Sequence, residues 1–451
     1  MKHILVIGAG RSAASLISYL LDNSTKEGWM INLGDINLEL VNERIGSHAN
    51  ARGFVFDAVN EEQRQVEIEK ADIVISMLPA RFHLLVVKDC IRFKKHVITP
   101  SYVSDEMHAL DQEAKDAGII IMNEIGLDPG IDHMSAMKVL DEIRSNPENK
   151  LTCFESFTGG LIAPESDNNP WHYKFTWNPR NVVLAGQKGA VKFIQEGTYK
   201  YIPYHKLFTR TEIIEVEGHG KFEGYANRDS LKYRSIYGLK DIPTIFRGTL
   251  RGVGFCRAWD VFVQLGCTDD SYTIEGSENM TFRAFFNLFL AYNPFDRVEL
   301  KLMHYLKIDH DNPIMEKLTW LGIFEDTIIG IPDASPAQIL QYMLELKWSL
   351  EEDDKDMIVM WHKFGYQHNG IDKEINSSMV VKGDTDIQTA MAKTVGLPVA
   401  IATKMILNGT IQSRGVQLPI SKQIYEPILK ELELYGIAFL EKEVEPKLYE
   451  K

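Results

Sequence analysis

The first hundred residues alternate between short apolar runs and stretches with apolar residues at helical spacing. Each apolar run is continuous, as expected for a parallel strand that is buried on both faces of a sheet. Helical patterns separate most of the runs, and this alternation predicts an α/β fold with a doubly wound parallel sheet. The predicted strands are HILVI (3–7), WMINLGD (29–35), ARGFVFD (51–57), ADIVISMLP (71–79) and KHVITPS (95–101).

A glycine-rich turn follows the first predicted strand and opens a helical pattern. It reads GAGRSA over residues 8–13, the G-x-G-x-x-A arrangement of Rossmann-type dinucleotide-binding domains. Gly8 permits the tight turn, Gly10 lets a pyrophosphate approach the backbone, and the helix N-terminus favours anions. The predicted cofactor contacts in this turn are Gly8, Gly10, Arg11, Ser12 and Ala13.

Asp35 ends the second predicted strand, at the distance from the glycines that the fingerprint expects. A carboxylate there can accept hydrogen bonds from the adenine ribose hydroxyls, and it would repel a 2′-phosphate. The sequence therefore predicts NAD as the cofactor, with NADP as the less favoured alternative. Arg11 argues the other way, since its guanidinium can hold a phosphate, although it can equally lie over the pyrophosphate.

Further site residues are expected at the carboxyl ends of the predicted strands, because ligands of doubly wound sheets bind along that edge. Residues after the third strand should lie near the adenine, those after the fourth near the ribose and nicotinamide, and those after the fifth at the mouth of the site. The residues assigned in this way are Asp57 and Ala58, then Ser76, Met77 and Leu78, then Ser101 and Tyr102.

From about Lys150 the pattern changes to mixed elements, which predicts a second, α+β substrate domain with a mixed sheet. A helical insert is expected over about 272–350, with apolar repeats typical of core and interface faces. We predict a dinucleotide-binding domain over 1–127, completed by C-terminal helices over about 388–451. A substrate-binding and dimerisation domain is predicted over 128–387, and the insert favours a homodimer.

Composition narrows the classes of function. The 451 residues are enough for two or three domains, and the net charge of −14 disfavours nonspecific binding to nucleic acid or an anionic membrane. The four cysteines show no CxxC spacing, so neither a metal site nor a disulfide scaffold is indicated. No run of 18 apolar residues and no leader pattern is found, which favours a cytoplasmic protein acting on a small molecule.

Two segments concentrate charged and loop-forming residues. Residues 124–180 combine glycine, proline, carboxylates and alternating aromatic residues, and loops of this composition on rigid scaffolds often carry function. The span 225–255 holds four arginines, which in an acidic chain can form a local pocket for carboxylates; surface salt bridges are the alternative for any single one. These arginines are Arg228, Arg234, Arg247 and Arg251.

The order of motifs along the chain resembles that of saccharopine dehydrogenases of the L-glutamate-forming kind, also called saccharopine reductases. The motifs are GxGxxA, DIVISMLPxxFH, SYVS, MNEIGLDPGIDHM, GGLxAPExxxNPxxYKFxWxPR, GYxNRDS and RGTLR, with TVGLPVAIATKMIL near the end. The resemblance implies oxidation or formation of the carbon–nitrogen bond that joins lysine to a glutamate skeleton in saccharopine. One departure is Thr158, because relatives tend to have cysteine before the paired glycines, so a thiol role does not transfer.

On this resemblance, Asp128 and Tyr102 are the predicted acid/base residues, since both fall near the strand ends that hold the nicotinamide. His133 is a weaker candidate, because it is expected inside a helix. The carboxylates of saccharopine would be bound by Ser101, by backbone amides at Gly159 and Gly160, and by arginines. The predicted arginine ligands are Arg228, Arg247 and Arg251.

Three other functions remain open at this stage. A related amine–aldehyde oxidoreductase of polyamine metabolism could use the same scaffold, although a polycationic substrate does not suit the arginine cluster. An NADP-linked reductase of lysine biosynthesis would run the same chemistry in reverse, whereas NAD favours lysine degradation. A nonenzymatic NAD-binding sensor is disfavoured by the polar content of residues 124–180.

Overall fold

The computed structural model describes residues 1–187, 189–227 and 229–446. The chain forms two compact units. Unit 1 comprises Met1–Leu151 and Phe364–Lys451, and unit 2 comprises Thr152–Lys363. The predicted domain borders, at 127/128 and 387/388, both lie inside unit 1. Residues 128–151 and 364–387, which were predicted for the second domain, therefore belong to unit 1.

The first part of unit 1 alternates strands and helices, as its apolar runs predict. The strands are β1 (Lys2–Ile7), β2 (Trp29–Asp35), β3 (Ala51–Val55), β4 (Ile73–Ser76), β5 (His96–Ile98) and β6 (Ile120–Met122). The helices are α1 (Ala14–Glu27), α2 (Leu38–Ile45), α3 (Glu61–Lys70), α4 (His83–Phe93), α5 (Asp105–Ala109), α6 (Asp111–Asp116) and α7 (Ile131–Arg144).

Unit 2 mixes strands with a run of helices. Its strands are β7 (Asn149–Ile162), β8 (Val191–Gln195), β9 (Thr198–Ile202), β10 (Thr211–Val216), β11 (Gly220–Ala226), β12 (Thr244–Gly252) and β13 (Asp356–His368), of which β7 and β13 cross the unit borders. Its helices are α8 (Pro179–Val183), α9 (Tyr233–Ile236), α10 (Phe255–Leu265), α11 (Phe282–Leu288), α12 (Val298–Leu306), α13 (Pro313–Trp320) and α14 (Pro336–Trp348).

The chain ends with a second contribution to unit 1. Its elements are β14 (Ile371–Lys382), α15 (Ala390–Leu407), β15 (Gly415–Gln417), α16 (Lys422–Leu432) and β16 (Leu440–Val444). Helix α15 packs against α1, and at Gly396 a Cβ atom would lie 2.8 Å from the Leu16 nitrogen. By length and composition α15 could span a membrane, but 78% of it is buried inside the protein, as in a core helix.

The sheet of unit 1 has seven parallel strands in the order β15-β6-β5-β4-β1-β2-β3. This confirms the predicted doubly wound sheet and adds two strands to the five predicted ones, β6 and, at one edge, β15. The order reverses beside β1, so the loops after β1 and β4 lie at the switch point where ligands bind in such folds. Every loop that follows a strand of this sheet meets the same edge, which we call the carboxyl edge.

Unit 2 confirms the predicted mixed sheet and helical insert. Strands β10, β11 and β12 pair antiparallel, whereas β12 and β7 pair parallel, and the β8–β9 hairpin joins β12. The core of this unit is aromatic, with Trp171, Trp259 and Trp348 almost fully buried. The alternating Trp171, Tyr173 and Phe175 belong to this core, so their pattern indicates packing rather than a ligand surface.

Candidate active site

The glycine turn after β1 has the geometry that a dinucleotide needs. Gly8 has φ +106°, and a Cβ there would lie 3.0 Å from the Met77 carbonyl oxygen. At Gly10, by contrast, a Cβ would meet no atom within 4 Å, and the residue is exposed ahead of α1. The backbone is therefore open where a pyrophosphate would approach the helix N-terminus. Arg11 is exposed, Ser12 half-buried and Ala13 buried.

Asp35 is tied to the turn by its side chain. One carboxylate oxygen accepts a hydrogen bond from the Ala9 amide at 2.8 Å, and the other accepts one from the Asn37 amide at 2.9 Å. Both oxygens therefore already bind backbone donors, so Asp35 has a structural task in shaping the glycine turn. From the sequence, the expected role of Asp35 is binding of the adenine ribose hydroxyls.

The residues after β3 and β4 also lie on the carboxyl edge. Asp57 is exposed and accepts a hydrogen bond from the Val59 amide at 2.9 Å, while Ala58 is buried. Met77 and Leu78 are half-buried. Ser76 is 1% exposed, and its hydroxyl is hydrogen-bonded to His83. This hydroxyl is therefore engaged inside the protein and does not lie on the surface where a ligand would bind.

The two predicted acid/base residues form a hydrogen-bonded pair. The Tyr102 hydroxyl donates to Asp128 Oδ1 at 3.0 Å, at the carboxyl edge of β5 and β6. Tyr102 lies in the loop between β5 and α5, and Asp128 lies in the loop between β6 and α7. That loop is closed on itself, because the Gly126 amide donates to the Pro129 carbonyl and the Ile131 amide to the Gly126 carbonyl, both at 2.9 Å.

Glu124 links the segment that carries Tyr102 to helix α7. Its Oε1 accepts from the Val103 amide at 3.0 Å, and its Oε2 lies 2.7 Å from Nε2 of His133. His133 is fully buried inside α7, and its Nδ1 lies 3.7 Å from Asp132 Oδ2. His133 therefore contacts the backbone next to Tyr102 only through Glu124 in these hydrogen bonds, which is a structural role.

A second buried histidine, His83, lies at the start of α4. Its Nδ1 is 2.9 Å from the Ser76 hydroxyl and its Nε2 is 2.7 Å from the Ser101 hydroxyl. His83 ends the DIVISMLPxxFH motif, but its spacing in the sequence does not show which side chains it contacts, and no role was expected for it. Ser101 itself is half-buried beside Tyr102.

Burial lowers the pKa of both His83 and His96 from the ordinary 6.5 to about 4. As the pH falls below 6.5, the two imidazoles take up protons in the unfolded chain before they do so in the folded protein. The free energy of unfolding should therefore decrease between pH 6.5 and 4. For His83 the full loss is about 3 kcal/mol, at 1.36 kcal/mol per pKa unit. Urea unfolding at several pH values should show that the free energy of unfolding depends less steeply on pH in His96→Gln than in the wild type. Replacing the exposed His310 should leave this dependence as it is, and an unchanged dependence in His96→Gln would contradict the assignment.

The predicted glycine pair lies inside a strand rather than in a loop. Gly159 and Gly160 belong to the 14-residue strand β7. A Cβ at Gly159 would lie 2.6 Å from the Leu250 carbonyl oxygen, so close strand packing is what requires this glycine. Thr158, 8% exposed, has a buried hydroxyl without a hydrogen-bond partner in the described part of the chain.

Two of the predicted arginines lie on the same face of β12. Arg247 is 7% exposed, with its guanidinium 4.0 Å from the centre of the Tyr233 ring. Arg251, four residues later, lies 5.0 Å from the Tyr173 ring centre and donates to the Leu250 carbonyl. Arg234 instead bonds to the Lys240 carbonyl in its own turn, and Arg228 lies outside the described residues.

Asp35→Ala should weaken binding of the cofactor, because the Ala9 amide loses its acceptor and the glycine turn loosens. We expect the KM for the dinucleotide to rise by roughly tenfold, the effect of one lost charged hydrogen bond. Asp72 is a matched control, since it accepts from the His3 amide at 2.8 Å before β4, at the opposite edge of the sheet. A lower KM for the dinucleotide in Asp35→Ala would contradict the structural role.

Known proteins match the chain along nearly its whole length. The family model "Saccharopine dehydrogenase NADP binding domain" matches residues 4–122, and "Saccharopine dehydrogenase C-terminal domain" matches residues 126–437. Saccharopine dehydrogenase [NADP(+), L-glutamate-forming] of Pyricularia oryzae is 34% identical over 98% of this chain and 99% of its own length. The mitochondrial alpha-aminoadipic semialdehyde synthase of Bos taurus is 34% identical over 97% of this chain, which covers 47% of the bovine protein.

A solved structure agrees with these matches. The apo saccharopine dehydrogenase (L-Glu forming) of Saccharomyces cerevisiae superposes with a TM-score of 0.89 at 33% identity, covering 99% of this chain and 100% of the yeast chain. The prediction of NAD as the main cofactor is wrong by these comparisons. The matching domain is described as NADP-binding, and the Pyricularia and yeast relatives are named as NADP(+) enzymes.

Asp35 accepts a backbone hydrogen bond on each oxygen, one of them from the glycine turn, so a carboxylate at this position has a structural reason and does not by itself indicate NAD. The glycine turn and the two-unit fold are those of the matching proteins, and the similarity extends over nearly the whole chain. The chain therefore belongs to the saccharopine dehydrogenase family.

Proposed function

We propose that the chain is an NADP-linked, L-glutamate-forming saccharopine dehydrogenase, which acts on the carbon–nitrogen bond between the lysyl ε-carbon and the bridging nitrogen of saccharopine. The observation that carries the proposal is the hydrogen-bonded pair of Tyr102 and Asp128 at the carboxyl edge of the dinucleotide-binding sheet. Full-length similarity to enzymes named for forming L-glutamate supports the substrate and the bond that is oxidised.

The residues of unit 1 fit the cofactor. Gly8 and Gly10 leave the backbone open to a pyrophosphate, and the N-terminus of α1 favours its charge. Arg11 is exposed within the turn and offers a guanidinium to the additional phosphate of NADP. The bound nicotinamide supplies the hydride acceptor, and the protein supplies orientation and proton transfer.

The Tyr102–Asp128 pair can move the protons that the reaction requires. The secondary amine of saccharopine must be unprotonated before its ε-carbon loses a hydride, and the resulting imine must then add water. Asp128 accepts the hydrogen bond of Tyr102, so a proton taken by this pair can be passed between a phenol and a carboxylate. Collapse of the hydrated product releases L-glutamate and 2-aminoadipate 6-semialdehyde, which balances saccharopine, water and NADP⁺ against these two products, NADPH and one proton.

Unit 2 offers cations for the carboxylates of the substrate. Arg247 and Arg251 are both buried on one face of β12. Their positions along the strand are roughly 13 Å apart, since a strand rises about 3.3 Å per residue. Arg251 lies among aromatic rings, and its Nε has no hydrogen-bond partner among the described residues. A buried guanidinium favours an anionic ligand and disfavours the polycationic substrates of polyamine metabolism.

Arg247→Ala should raise the KM for saccharopine by roughly 10- to 100-fold, as expected for loss of a charge-assisted hydrogen bond of about 1.5–3 kcal/mol. The turnover number should change less, since Arg247 acts in binding. Arg257, exposed on α10, is the matched control and should leave the KM unchanged when replaced by Ala. An Arg247→Ala enzyme with the wild-type KM would refute the anchor role.

A substrate panel tests the proposed function itself. NADPH, followed at the nicotinamide absorbance band, should form with saccharopine, and in the reverse assay it should not be consumed with a polyamine and an aldehyde. Turnover of a polyamine and an aldehyde, without turnover of saccharopine, would overturn the proposal. The same assay with NAD in place of NADP measures the cofactor preference directly.

A further inference from the structure

Ser101, Tyr102 and Val103 form a short stretch of backbone that is held from two sides; we call it the tyrosine segment. On one side, the Glu124 amide donates to the Ser101 carbonyl at 3.1 Å, and the Val103 amide donates to Glu124 Oε1 at 3.0 Å. On the other side, the Ser101 hydroxyl lies 2.7 Å from Nε2 of His83. Tyr102 projects from the middle of the segment to Asp128.

His83 is well placed to hold the segment rigidly. It is only 4% exposed, and its other ring nitrogen lies 2.9 Å from the hydroxyl of Ser76, which is itself 1% exposed at the end of β4. Thr99, at the end of β5, adds a hydroxyl 3.3 Å from Nε2 and accepts the Ser101 amide at 3.2 Å. The imidazole therefore ties the ends of β4 and β5 to the residue just before Tyr102.

The charge state of His83 suits this task. Burial lowers its pKa to about 4, so the ring is neutral near neutral pH. A neutral imidazole has one donor and one acceptor nitrogen, and each can bond to a hydroxyl, which is able to donate or accept. Both hydroxyl partners are thereby satisfied without a buried charge, and the ring is fixed in orientation at both nitrogens.

We propose that His83 is a positioning residue of the reaction, which holds Ser101 and so fixes the Tyr102 hydroxyl against Asp128. The inference rests on the proposed function, because it assumes that the Tyr102–Asp128 pair carries the proton transfer. His83 touches neither member of that pair in any contact described above, so its effect passes through Ser101 and the backbone. A misplacement of about 1 Å at a reacting group can cost roughly 100-fold in rate.

His83→Leu keeps the bulk of the side chain and removes both hydrogen bonds, whereas His83→Gln keeps one donor and one acceptor. We expect kcat to fall roughly 10- to 100-fold in His83→Leu and less than about fivefold in His83→Gln, with the KM values for NADP and saccharopine nearly unchanged. In a Tyr102→Phe background, His83→Leu should have almost no further effect on kcat. His96→Gln, a histidine at the opposite edge of the sheet, is the control and should leave kcat unchanged.

A spectroscopic measurement makes the test independent of turnover. With carbon-13 in the tyrosine Cζ position, the Tyr102 signal, identified by its loss in Tyr102→Phe, should shift in His83→Leu and stay in place in His83→Gln. An unchanged signal in a folded His83→Leu protein, or additive loss of kcat in the double variant, would overturn the positioning role. If the Tyr102 signal shifts in His83→Leu but the wild-type protein does not oxidise saccharopine, His83 still positions Tyr102 and the proposed function is rejected.

Discussion

Tyr102→Phe should lower kcat for saccharopine oxidation by about 10²- to 10⁴-fold, the usual contribution of a positioned acid/base group. The variant removes only the hydroxyl that donates to Asp128 at 3.0 Å, so the fold and the KM for NADP should be retained. Asp128→Asn should have a loss of similar size, because the amide cannot take a proton. Steady-state kinetics over a range of pH measures both variants.

The two losses should not add, because the residues act as one pair. The double variant should therefore be about as slow as the slower single variant. Tyr201→Phe serves as the control, since this tyrosine is 58% exposed on β9 and should have wild-type kinetics. A Tyr102→Phe enzyme within twofold of the wild-type kcat would exclude the pair from proton transfer.

Gly130→Ala should lower the free energy of unfolding by about 4 kcal/mol or more, which is at the extreme of single substitutions. Gly130 has φ +146°, and a Cβ there would lie 2.1 Å from the carbonyl oxygen and 2.2 Å from the nitrogen of Gly126. Both are backbone atoms of the loop that carries Asp128, so the loop must open to accept a methyl group. Urea unfolding measures the change, and kcat should fall with it.

Gly409→Ala separates steric overlap from backbone conformation. Gly409 also has a positive φ, +80°, but a Cβ there would meet no atom within 4 Å. It should cost only about 1–2 kcal/mol, the penalty of the left-handed conformation alone. Equal destabilisation by the two substitutions would show that the Asp128 loop is not closed as described.

The sequence was sufficient where local pattern decides structure. Short apolar runs correctly predicted β1 to β5 of the seven parallel strands, because strands inside a parallel sheet are buried on both faces. The glycine turn after β1 was predicted with its open backbone at Gly10. Tyr102 and Asp128 were assigned from their places after strands, and the structure brings their side chains together.

Long-range contacts explain what the sequence did not reveal. The partners of Asp35 include the Ala9 amide, 26 residues away, so its structural task was invisible and the NAD prediction followed. The glycines of β7 suggested a loop, whereas Gly159 is required by the approach of Leu250 on a distant strand. His83 is held by Ser76 and Ser101 at neighbouring strand ends; the motifs DIVISMLPxxFH and SYVS contain these residues but do not show that the three side chains meet.

Product analysis tests the central claim most directly. Purified protein incubated with saccharopine and NADP should yield L-glutamate and 2-aminoadipate 6-semialdehyde, each in an amount equal to the NADPH formed, as measured by mass spectrometry and absorbance. Lysine and 2-oxoglutarate, the products of oxidising the other carbon attached to the bridging nitrogen, would contradict the account, as would an absence of NADPH.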